Sequence, residues 1–342
     1  MSFKKIFIFI LLILILAGAY YGYNIYKRIF APNVFPQEVY LNIPTGSNYV
    51  DVLAILIEKN IVKNKSSFDW LARKMKYDKN IHAGHYKLTP GMNNKELITL
   101  LRSGKQTPVQ FIFNNVRLPA ELASDISKTI EADSISVMKL FNDDVYLKQF
   151  GFNSDNCIAM FIPNTYEFYW NTSAKKLMDR MAKEYKTFWN PSRKLKARTI
   201  GLTQAQVSVL ASIVEQETHR DDEKPVIAGI YVNRFKKGWK LEADPTLVYA
   251  LGNFSIQRVL NQYKEIDSPY NTYMYAGLPP GPICIPSISS IDAVLNYTKH
   301  EYLYFCARDD FSGYHCYAKT YPEHLVNAKR FQKELNRRKI KS

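Results

Sequence analysis

The chain begins with an uncharged stretch from Ile6 to Tyr26, which limits how its amino terminus can fold. Residues 6–16 form an unbroken apolar run, tyrosines crowd its far end, and basic residues flank both ends. About 20 apolar residues can span a bilayer as a helix, and tyrosines favour the membrane interface. We therefore expect residues 1–30 to form a cytoplasmic stub and a transmembrane anchor.

A cleaved signal peptide is the alternative interpretation of this stretch. Ala17-Gly18-Ala19 follows the apolar run and has the small residues of a cleavage site. The uncharged stretch continues past that site, which favours an anchor that stays in place. Both interpretations put most of the chain outside the cytoplasm.

The formal net charge of +15, from 46 Lys and Arg residues against 31 Asp and Glu, favours a polyanionic partner. The basic residues are scattered along the chain, so charge alone does not choose between nucleic acid, anionic lipid and an acidic polymer. Because an exported chain does not meet nucleic acid, we predict no nucleic-acid partner. Lipid of the anchoring membrane is an expected partner.

Two similar segments organise residues 37–112. Ile43-Pro44-Thr45-Gly46 and Leu88-Thr89-Pro90-Gly91 are each followed, at the same spacing, by an acidic residue and an apolar run. Each copy predicts a strand, a turn and an amphipathic helix, and residues 66–77 predict another helix. This small α+β unit has no cluster of catalytic residue types, so it is either a packing domain or a glycan-binding domain.

Residues 113–342 predict a larger mixed α+β domain. Its predicted elements are helices over residues 118–130, 173–189, 203–218, 225–235 and 322–340, a hairpin with strands 301–305 and 314–318, and a turn at 163–166.

Four cysteines are too few for a disulfide scaffold, and they form no C-x-x-C pair that would suggest a metal or redox site. They are Cys157, Cys284, Cys306 and Cys316. The last two flank the predicted hairpin and could pair in an oxidising compartment, with free buried thiols as the alternative. We predict no metal and no cofactor.

The helix predicted over residues 203–218 carries two glutamates near its end. Thr203 with Gln206 three residues later is a capping-box pattern that starts the helix. The apolar stripe at helical spacing consists of Val207, Leu210 and Val214. Three residues after Val214, the same spacing reaches Glu217, so this glutamate lies on the apolar face of the helix. Glu215 lies on nearly the opposite face. The two carboxylates are therefore expected in different environments.

A carboxyl group at the edge of a core is poorly solvated, which raises its pKa. A raised pKa lets a carboxylic acid hold a proton near neutral pH and donate it to a leaving oxygen. Glu217 is therefore the candidate general acid. The alternative is an ordinary ion pair between Glu217 and Arg234 or Arg220.

Three later segments are rich in Asn, Thr, Asp and Tyr, with Pro and Gly fixing the backbone: residues 231–246, 268–273 and 277–283. Planar polar groups beside aromatic faces suit sugars, because sugar hydroxyls need donors and acceptors while ring C–H groups pack on tyrosine. Ordinary turn chemistry explains any one segment. Their order behind the glutamate helix favours a sugar-binding site.

Together these motifs resemble the endolytic murein transglycosylase, or YceG-like, family. The matching segments are Ala211-Ser212-Ile213-Val214-Glu215-Gln216-Glu217-Thr218, Asn233-Arg234, Asp244-Pro245-Thr246, Tyr270-Asn271-Thr272-Tyr273 and Gly277-Leu278-Pro279-Pro280-Gly281-Pro282-Ile283. The resemblance covers nearly the whole chain. Two departures are Cys284, where a small residue is usual, and Asn164, where the family's turn has aspartate.

The resemblance implies a lytic cleavage of peptidoglycan with Glu217 as the catalytic acid. This group would protonate the oxygen between N-acetylmuramic acid and N-acetylglucosamine and then act as base on the sugar's own C6 hydroxyl. The product is a 1,6-anhydromuramoyl end, and no second carboxylate is needed. Expected substrate-binding residues are Asn233, Arg234, Asp244, Thr246, Tyr270, Asn271, Thr272 and Tyr273.

The resemblance also implies an architecture and a location. We expect an α+β protein with a transmembrane helix, a LysM-like domain over residues 37–112 and a catalytic domain over residues 113–342. A single-pass protein of the inner membrane would hold the catalytic domain on the periplasmic side. Its partners would be nascent glycan strands, and peptidoglycan synthases are further candidates, since the cut would terminate strand elongation.

Two alternative functions stay open at this point. The first is a lysozyme-type peptidoglycan hydrolase, which needs a second carboxylate such as Asp244 or Glu242. The second is a non-catalytic envelope protein that binds glycan without cutting it.

Overall fold

The structure is a computed structural model that describes residues 3–35, 37–113, 116–256 and 259–338. The chain divides into two compact units. The first unit contains the residues up to Phe111 together with residues 129–131 and 167–173. The second contains residues 112–128, 132–166 and 174 onward. The mixed α+β class predicted from the sequence is confirmed.

Helix α1 (Phe3–Phe30) is the one helix in the described part of the chain that is long and apolar enough to cross a membrane. Its apolar window has a mean hydropathy of 2.3, and no residue of that window is buried. Lys27 and Arg28 lie in its last turn, where positive charge stabilises the helix dipole. The helix fits the predicted membrane anchor, whose first two residues lie outside the described ranges.

The first unit repeats one structural pattern around a common core. After α1 it contains β1 (Val39–Ile43), α2 (Tyr49–Glu58), α3 (Lys65–Lys74), β2 (Gly84–Leu88), α4 (Asn94–Ser103) and β3 (Val109–Ile112). Strands β1 and β2 pair antiparallel, with Val39 opposite Leu88. Capping boxes at Asn48 and Asn93 start α2 and α4. The repeated order of strand, turn and helix is therefore confirmed.

The remaining elements belong to the second unit, except that Thr129, Glu167 and Phe168 belong to the first. In chain order they are α5 (Pro119–Thr129), α6 (Ser134–Phe141), α7 (Asp144–Lys148), β4 (Thr165–Phe168), α8 (Ala174–Phe188), α9 (Pro191–Ile200), α10 (Gln204–Glu217), α11 (Lys224–Lys236), α12 (Asp244–Leu251), α13 (Ile288–Leu295), β5 (Tyr304–Ala307), β6 (His315–Ala318) and α14 (Tyr321–Arg337).

The five predicted helices of this region are confirmed as α5, α8, α10, α11 and α14. The carboxyl end of the last prediction, residue 340, lies outside the described residues. Two predictions were wrong in part. Thr165 and Tyr166 begin strand β4 instead of completing a turn, and Asp244 begins helix α12 instead of lying in a loop. Pro245 suits the first turn of a helix because its ring fixes the backbone angle there.

Helix α10 is the centre of the second unit. Every residue from Val207 to Val214 is buried, so the helix is covered on all faces and not along one stripe. Helices α11 and α13 pack directly against it. The predicted capping box is present, since Thr203 and Gln206 exchange hydrogen bonds. A helix enclosed in this way holds the groups at its end in fixed positions.

All four cysteines are free thiols. Cys157 and Cys284 are buried, and burial raises the pKa of each thiol to about 12. Cys306 and Cys316 lie directly opposite each other on β5 and β6.

The loop before Cys284 packs closely against the backbone of Asp155 at Gly281. A Cβ atom at this position would lie 1.8 Å from the carbonyl oxygen of Asp155. Two residues later, the Ile283 amide donates to the Ser212 hydroxyl of α10 at 3.0 Å. The loop therefore connects the segment around residue 155 to the glutamate helix.

We expect Gly281→Ala to destabilise the protein by about 2 kcal/mol or more, because neither backbone can move away without disturbing α10. Chemical denaturation of the full chain in detergent measures the free energy of unfolding. Gly252→Ala is the matched control, since its Cβ would meet nothing within 4 Å and only its positive φ of 64° is unfavourable. Equal losses in the two variants would contradict the packing argument.

Candidate active site

Glu217 is the last residue of α10, and its carboxylate contacts the neighbouring helix. The Tyr231 hydroxyl of α11 donates a hydrogen bond of 2.5 Å to Glu217 Oε1. Tyr231 itself is buried. The enclosed helix and the buried phenol therefore fix the position of this carboxyl group from two sides.

Burial raises the pKa of Glu217 to about 7. The Tyr231 hydrogen bond and the positive charge of Arg234 act in the opposite direction, and the nearby charge of Asp244 raises the pKa further. The elevated pKa that the sequence predicts for this position is thus found. A carboxyl group with this pKa holds a proton on a large fraction of molecules at neutral pH.

Glu215, two residues earlier, has the opposite environment. Burial alone would raise its pKa, but hydrogen bonds from the Ser287 and Ser290 hydroxyls and the charge of Lys224 bring the pKa below its usual value. The Lys224 ammonium lies 3.4 Å from Glu215 Oε2. Glu215 is therefore a charged anchor between α10, α11 and α13.

Asp244 is the second carboxylate near Glu217. It lies at the start of α12, and its Oδ1 accepts a hydrogen bond of 2.5 Å from the Tyr273 hydroxyl. Burial and the Asp244 carboxylate raise the pKa of Tyr273 well above its usual value, so the phenol stays a donor. This contact fixes the carboxylate next to the candidate acid.

Two cavities meet at Glu217 and Asp244, which line both. The first has a volume of about 500 Å³ and is lined by Arg117, Gln216, Glu217, Asp244, Pro245, Val248, Tyr249, Phe254, Ile256, Val259 and Ile283. The second has a volume of about 260 Å³ and is lined by Glu217, Tyr231, Arg234, Leu241, Glu242, Asp244, Tyr273, Tyr304, Phe305, Tyr321 and His324. A ligand could therefore extend to either side of the two carboxyl groups.

The arginines considered as ion-pair partners of Glu217 bind elsewhere. Arg234 pairs with Glu242 at 3.1 Å and donates to the backbone carbonyls of Leu241 and Leu303. Arg220 donates to the backbone carbonyl of Ser312. Within the described residues, Glu217 forms no ion pair with either arginine. Glu242 has a positive φ of 52°, so the chain adopts a strained conformation where it presents this carboxylate to Arg234.

Three predicted substrate-binding residues lie beneath the site, with buried side chains that bind the protein itself. The Asn271 amide donates to the carbonyls of Lys264 and Ile266, and its oxygen accepts from the Tyr273 amide. The hydroxyls of Thr246 and Thr272 lie 2.8 Å apart. None of the three lines either cavity. They hold Tyr273 and the start of α12 in place.

Two further predicted residues also lie outside the cavity linings. Asn233 donates from its amide to the carbonyls of His300 and Tyr302. Tyr270 packs its ring against Tyr249, with centroids 4.6 Å apart. The structure therefore brings Arg234, Asp244 and Tyr273 to the cavities with Glu217, and places the other predicted residues behind them.

Sequence reasoning missed Tyr231, Arg117 and Gln216 as site residues. Tyr231 lies two residues before the Asn233-Arg234 motif, but its contact with Glu217 depends on how α11 crosses α10. Arg117 and Gln216 are linked by a hydrogen bond of 2.9 Å between positions 99 residues apart. No group of three or more metal-binding side chains occurs in the described ranges.

Comparison with known proteins identifies the family. A family model described as the YceG-like family matches residues 41–330. This chain belongs to the YceG-like family. A relative from Bacillus subtilis named endolytic murein transglycosylase is 29% identical over 91% of this chain and 89% of its own length. One of the same name from Streptococcus pneumoniae is 25% identical over 96% of this chain and 65% of its own length.

A crystal structure from the same family shares the fold. The yceG-like protein of Listeria monocytogenes, solved at 2.6 Å, has 28% sequence identity and a TM-score of 0.57. The match covers 84% of this chain and 98% of that chain. The YceG-like chain described here therefore contains essentially all of the fold seen in that structure.

We expect Tyr231→Phe to raise the pKa of Glu217, because the lost hydrogen bond stabilises the charged carboxylate. If Glu217 acts as an acid, activity falls as pH rises through its pKa, so the alkaline limb should move to higher pH by about one unit. The pH dependence of kcat/KM on purified peptidoglycan measures this shift. Tyr185 is a buried tyrosine of α8, and Tyr185→Phe is the control. This control should leave the alkaline limb of the pH profile of kcat/KM unchanged. A limb that moves to lower pH would refute the assignment.

Proposed function

We propose that this protein is an endolytic peptidoglycan lytic transglycosylase that cuts the bond between N-acetylmuramic acid and N-acetylglucosamine, with Glu217 as its acid and base. The observation that carries the proposal is a carboxyl group with a pKa of about 7 where two cavities meet. The names of the Bacillus and Streptococcus relatives support the same reaction.

In this reaction Glu217 first donates its proton and then regains one. The protonated carboxyl group donates to the glycosidic oxygen as the bond from C1 of the muramoyl residue breaks. The C6 hydroxyl of the same residue then attacks C1 and gives its proton to the Glu217 carboxylate. One 1,6-anhydromuramoyl end and one N-acetylglucosamine end form, and no water is consumed. The nucleophile is already held on the substrate, so no second catalytic carboxylate is required.

Asp244 is the substrate-positioning carboxylate in this proposal. Its hydrogen bond from Tyr273 leaves Oδ2 to accept from a sugar hydroxyl, and its negative charge favours the protonated form of Glu217. Tyr273 and Tyr304 contribute aromatic rings to the lining of the second cavity. Sugar ring C–H groups pack on such faces. Asn233, Thr246, Tyr270, Asn271 and Thr272 support these groups from behind and do not contact the strand.

The proposed location of the enzyme is the cell membrane. Helix α1 anchors it in the inner membrane, with the catalytic residues on the periplasmic side near newly exported glycan. Residues 37–112 form a LysM-like domain, and residues 113–342 form the catalytic domain. A cut at this location terminates strand elongation, and peptidoglycan synthases are the candidate protein partners.

We expect Glu217→Gln to lower the rate of anhydro-end formation by about 100-fold or more, because glutamine cannot donate a proton. Mass spectrometry of fragments from cell-wall sacculi measures the products, and circular dichroism checks that the variant folds. Glu265→Gln, an exposed glutamate outside both cavity linings, is the control and should retain activity. Full activity in Glu217→Gln would refute the proposal.

The lysozyme-type alternative predicts a different product. Hydrolysis adds one water for each bond that is cut, and its oxygen stays on the new reducing end, whereas intramolecular attack adds none. In water enriched in oxygen-18, we expect anhydro ends that carry no label. Labelled reducing ends from the unmodified protein would establish a hydrolase, and Asp244→Asn would then test the second carboxylate. A protein that binds glycan and releases no fragments under any condition would be a binding protein.

A further inference from the structure

Arg117 is the only basic side chain among the described residues that line the first cavity. The other charged groups of that lining are Glu217 and Asp244. No carboxylate of the described residues lies within ion-pair distance of the Arg117 guanidinium. Among the described residues, the first cavity therefore contains a cation that shares its cavity with two carboxyl groups but forms an ion pair with neither.

The guanidinium is held in position before any ligand binds. Its Nη2 donates to Gln216 Oε1 at 2.9 Å, and its central carbon lies 4.8 Å from the centre of the Phe254 ring. Gln216 is in turn held by its own contact with the Cys284 sulfur at 3.4 Å. Because Gln216 immediately precedes Glu217 on α10, the positions of the cation and the candidate acid are linked.

The arginine of the second cavity offers a contrast. Arg234 is already neutralised by Glu242 and donates to backbone carbonyls. Arg117 has donors that are not used in this way, and its cavity is lined by apolar side chains of Val248, Ile256, Val259 and Ile283. Apolar side chains on part of the lining exclude water there, which strengthens the attraction between a cation and an incoming anion. Of the two cavities that meet at Glu217, the first is therefore the one that favours a negatively charged group of a ligand.

We propose that Arg117 determines specificity by binding a carboxylate carried by the substituent on the muramoyl residue next to the cut. This inference rests on the proposed function. The planar fork of arginine matches a carboxylate in a two-point contact. The muramoyl residue differs from its neighbour by a lactyl ether, which is carried by the ring whose C1–oxygen bond is broken. This substituent therefore lies within one sugar of Glu217. The muramoyl side of the strand therefore occupies the first cavity.

The carboxylate has two sources, which substrates of defined chemistry distinguish. In strands without peptides the lactyl carboxylate is free, whereas in peptide-bearing strands it is an amide and the nearest carboxylates belong to the peptide. Conversion of the free lactyl groups to methylamides gives a neutral strand of nearly the same shape. The test measures the activity of the unmodified full-length protein and of its Arg117→Gln variant on three substrates. These are the peptide-free strand, the peptide-bearing strand and the neutral methylamide strand.

We expect Arg117→Gln to lower kcat/KM on a carboxylate-bearing strand by about 10- to 100-fold, mainly through KM, and to leave kcat/KM on the neutral strand nearly unchanged. A loss on peptide-free strands identifies the lactyl carboxylate, and a loss confined to peptide-bearing strands identifies a peptide carboxylate. Arg117→Lys should keep part of the preference, because it retains charge without the fork. Lys183→Gln, which removes an exposed cation outside both cavity linings, is the control.

Binding measurements separate this inference from the proposed reaction. The Glu217→Gln variant lacks the acid. In this background, the added Arg117→Gln change should raise the Kd for carboxylate-bearing strands by the same factor as the loss in kcat/KM. That result supports the role of Arg117 even if no anhydro ends are ever formed. An equal loss on charged and neutral strands, or no loss on either, would overturn it.

Discussion

The site depends on a carboxyl group that is held between two helices, where two cavities meet and where burial disfavours its charged form. Glu217 ends a helix whose residues from Val207 to Val214 are all buried, so the core holds the backbone that carries this group. Its place at the carboxyl end of α10 also puts it near the negative end of the helix dipole, which disfavours a second negative charge. The Tyr231 hydrogen bond and the charge of Arg234 stabilise its charged form, and burial outweighs both.

The same helix end shows how environment separates two identical side chains. Glu215 has hydroxyl donors from Ser287 and Ser290 and the ammonium of Lys224, and it stays charged. Glu217 has one phenol and a neighbouring carboxylate, and it holds a proton to about pH 7. A charged, fully bonded glutamate connects helices, whereas an under-solvated one can exchange a proton. Environment, and not residue type, assigns these roles.

The sequence predicted the glutamate helix well because its signals are local. Thr203 and Gln206 mark its start, and the apolar spacing that follows is continuous. The α12 helix was missed because Asp244-Pro245-Thr246 has the composition of a turn. For polar side chains the sequence gives residue type but not partner, so it could not show that Asn271 binds backbone carbonyls instead of a ligand. The contact of Arg117 with Gln216 joins distant positions and has no local signal.

The two sides of the site differ in how their arginines are neutralised. On one side Glu242, held in a strained backbone conformation, occupies the guanidinium of Arg234 beside several aromatic rings. On the other side Arg117 lines a cavity in which no carboxylate of the described residues forms an ion pair with it. A uniform polymer would gain nothing from this asymmetry, because its sugars are alike. A strand of alternating sugars, only one of which carries an acidic substituent, would be held in one register and one direction. With the register fixed, the same kind of bond would always lie at Glu217, and a single acid would be enough.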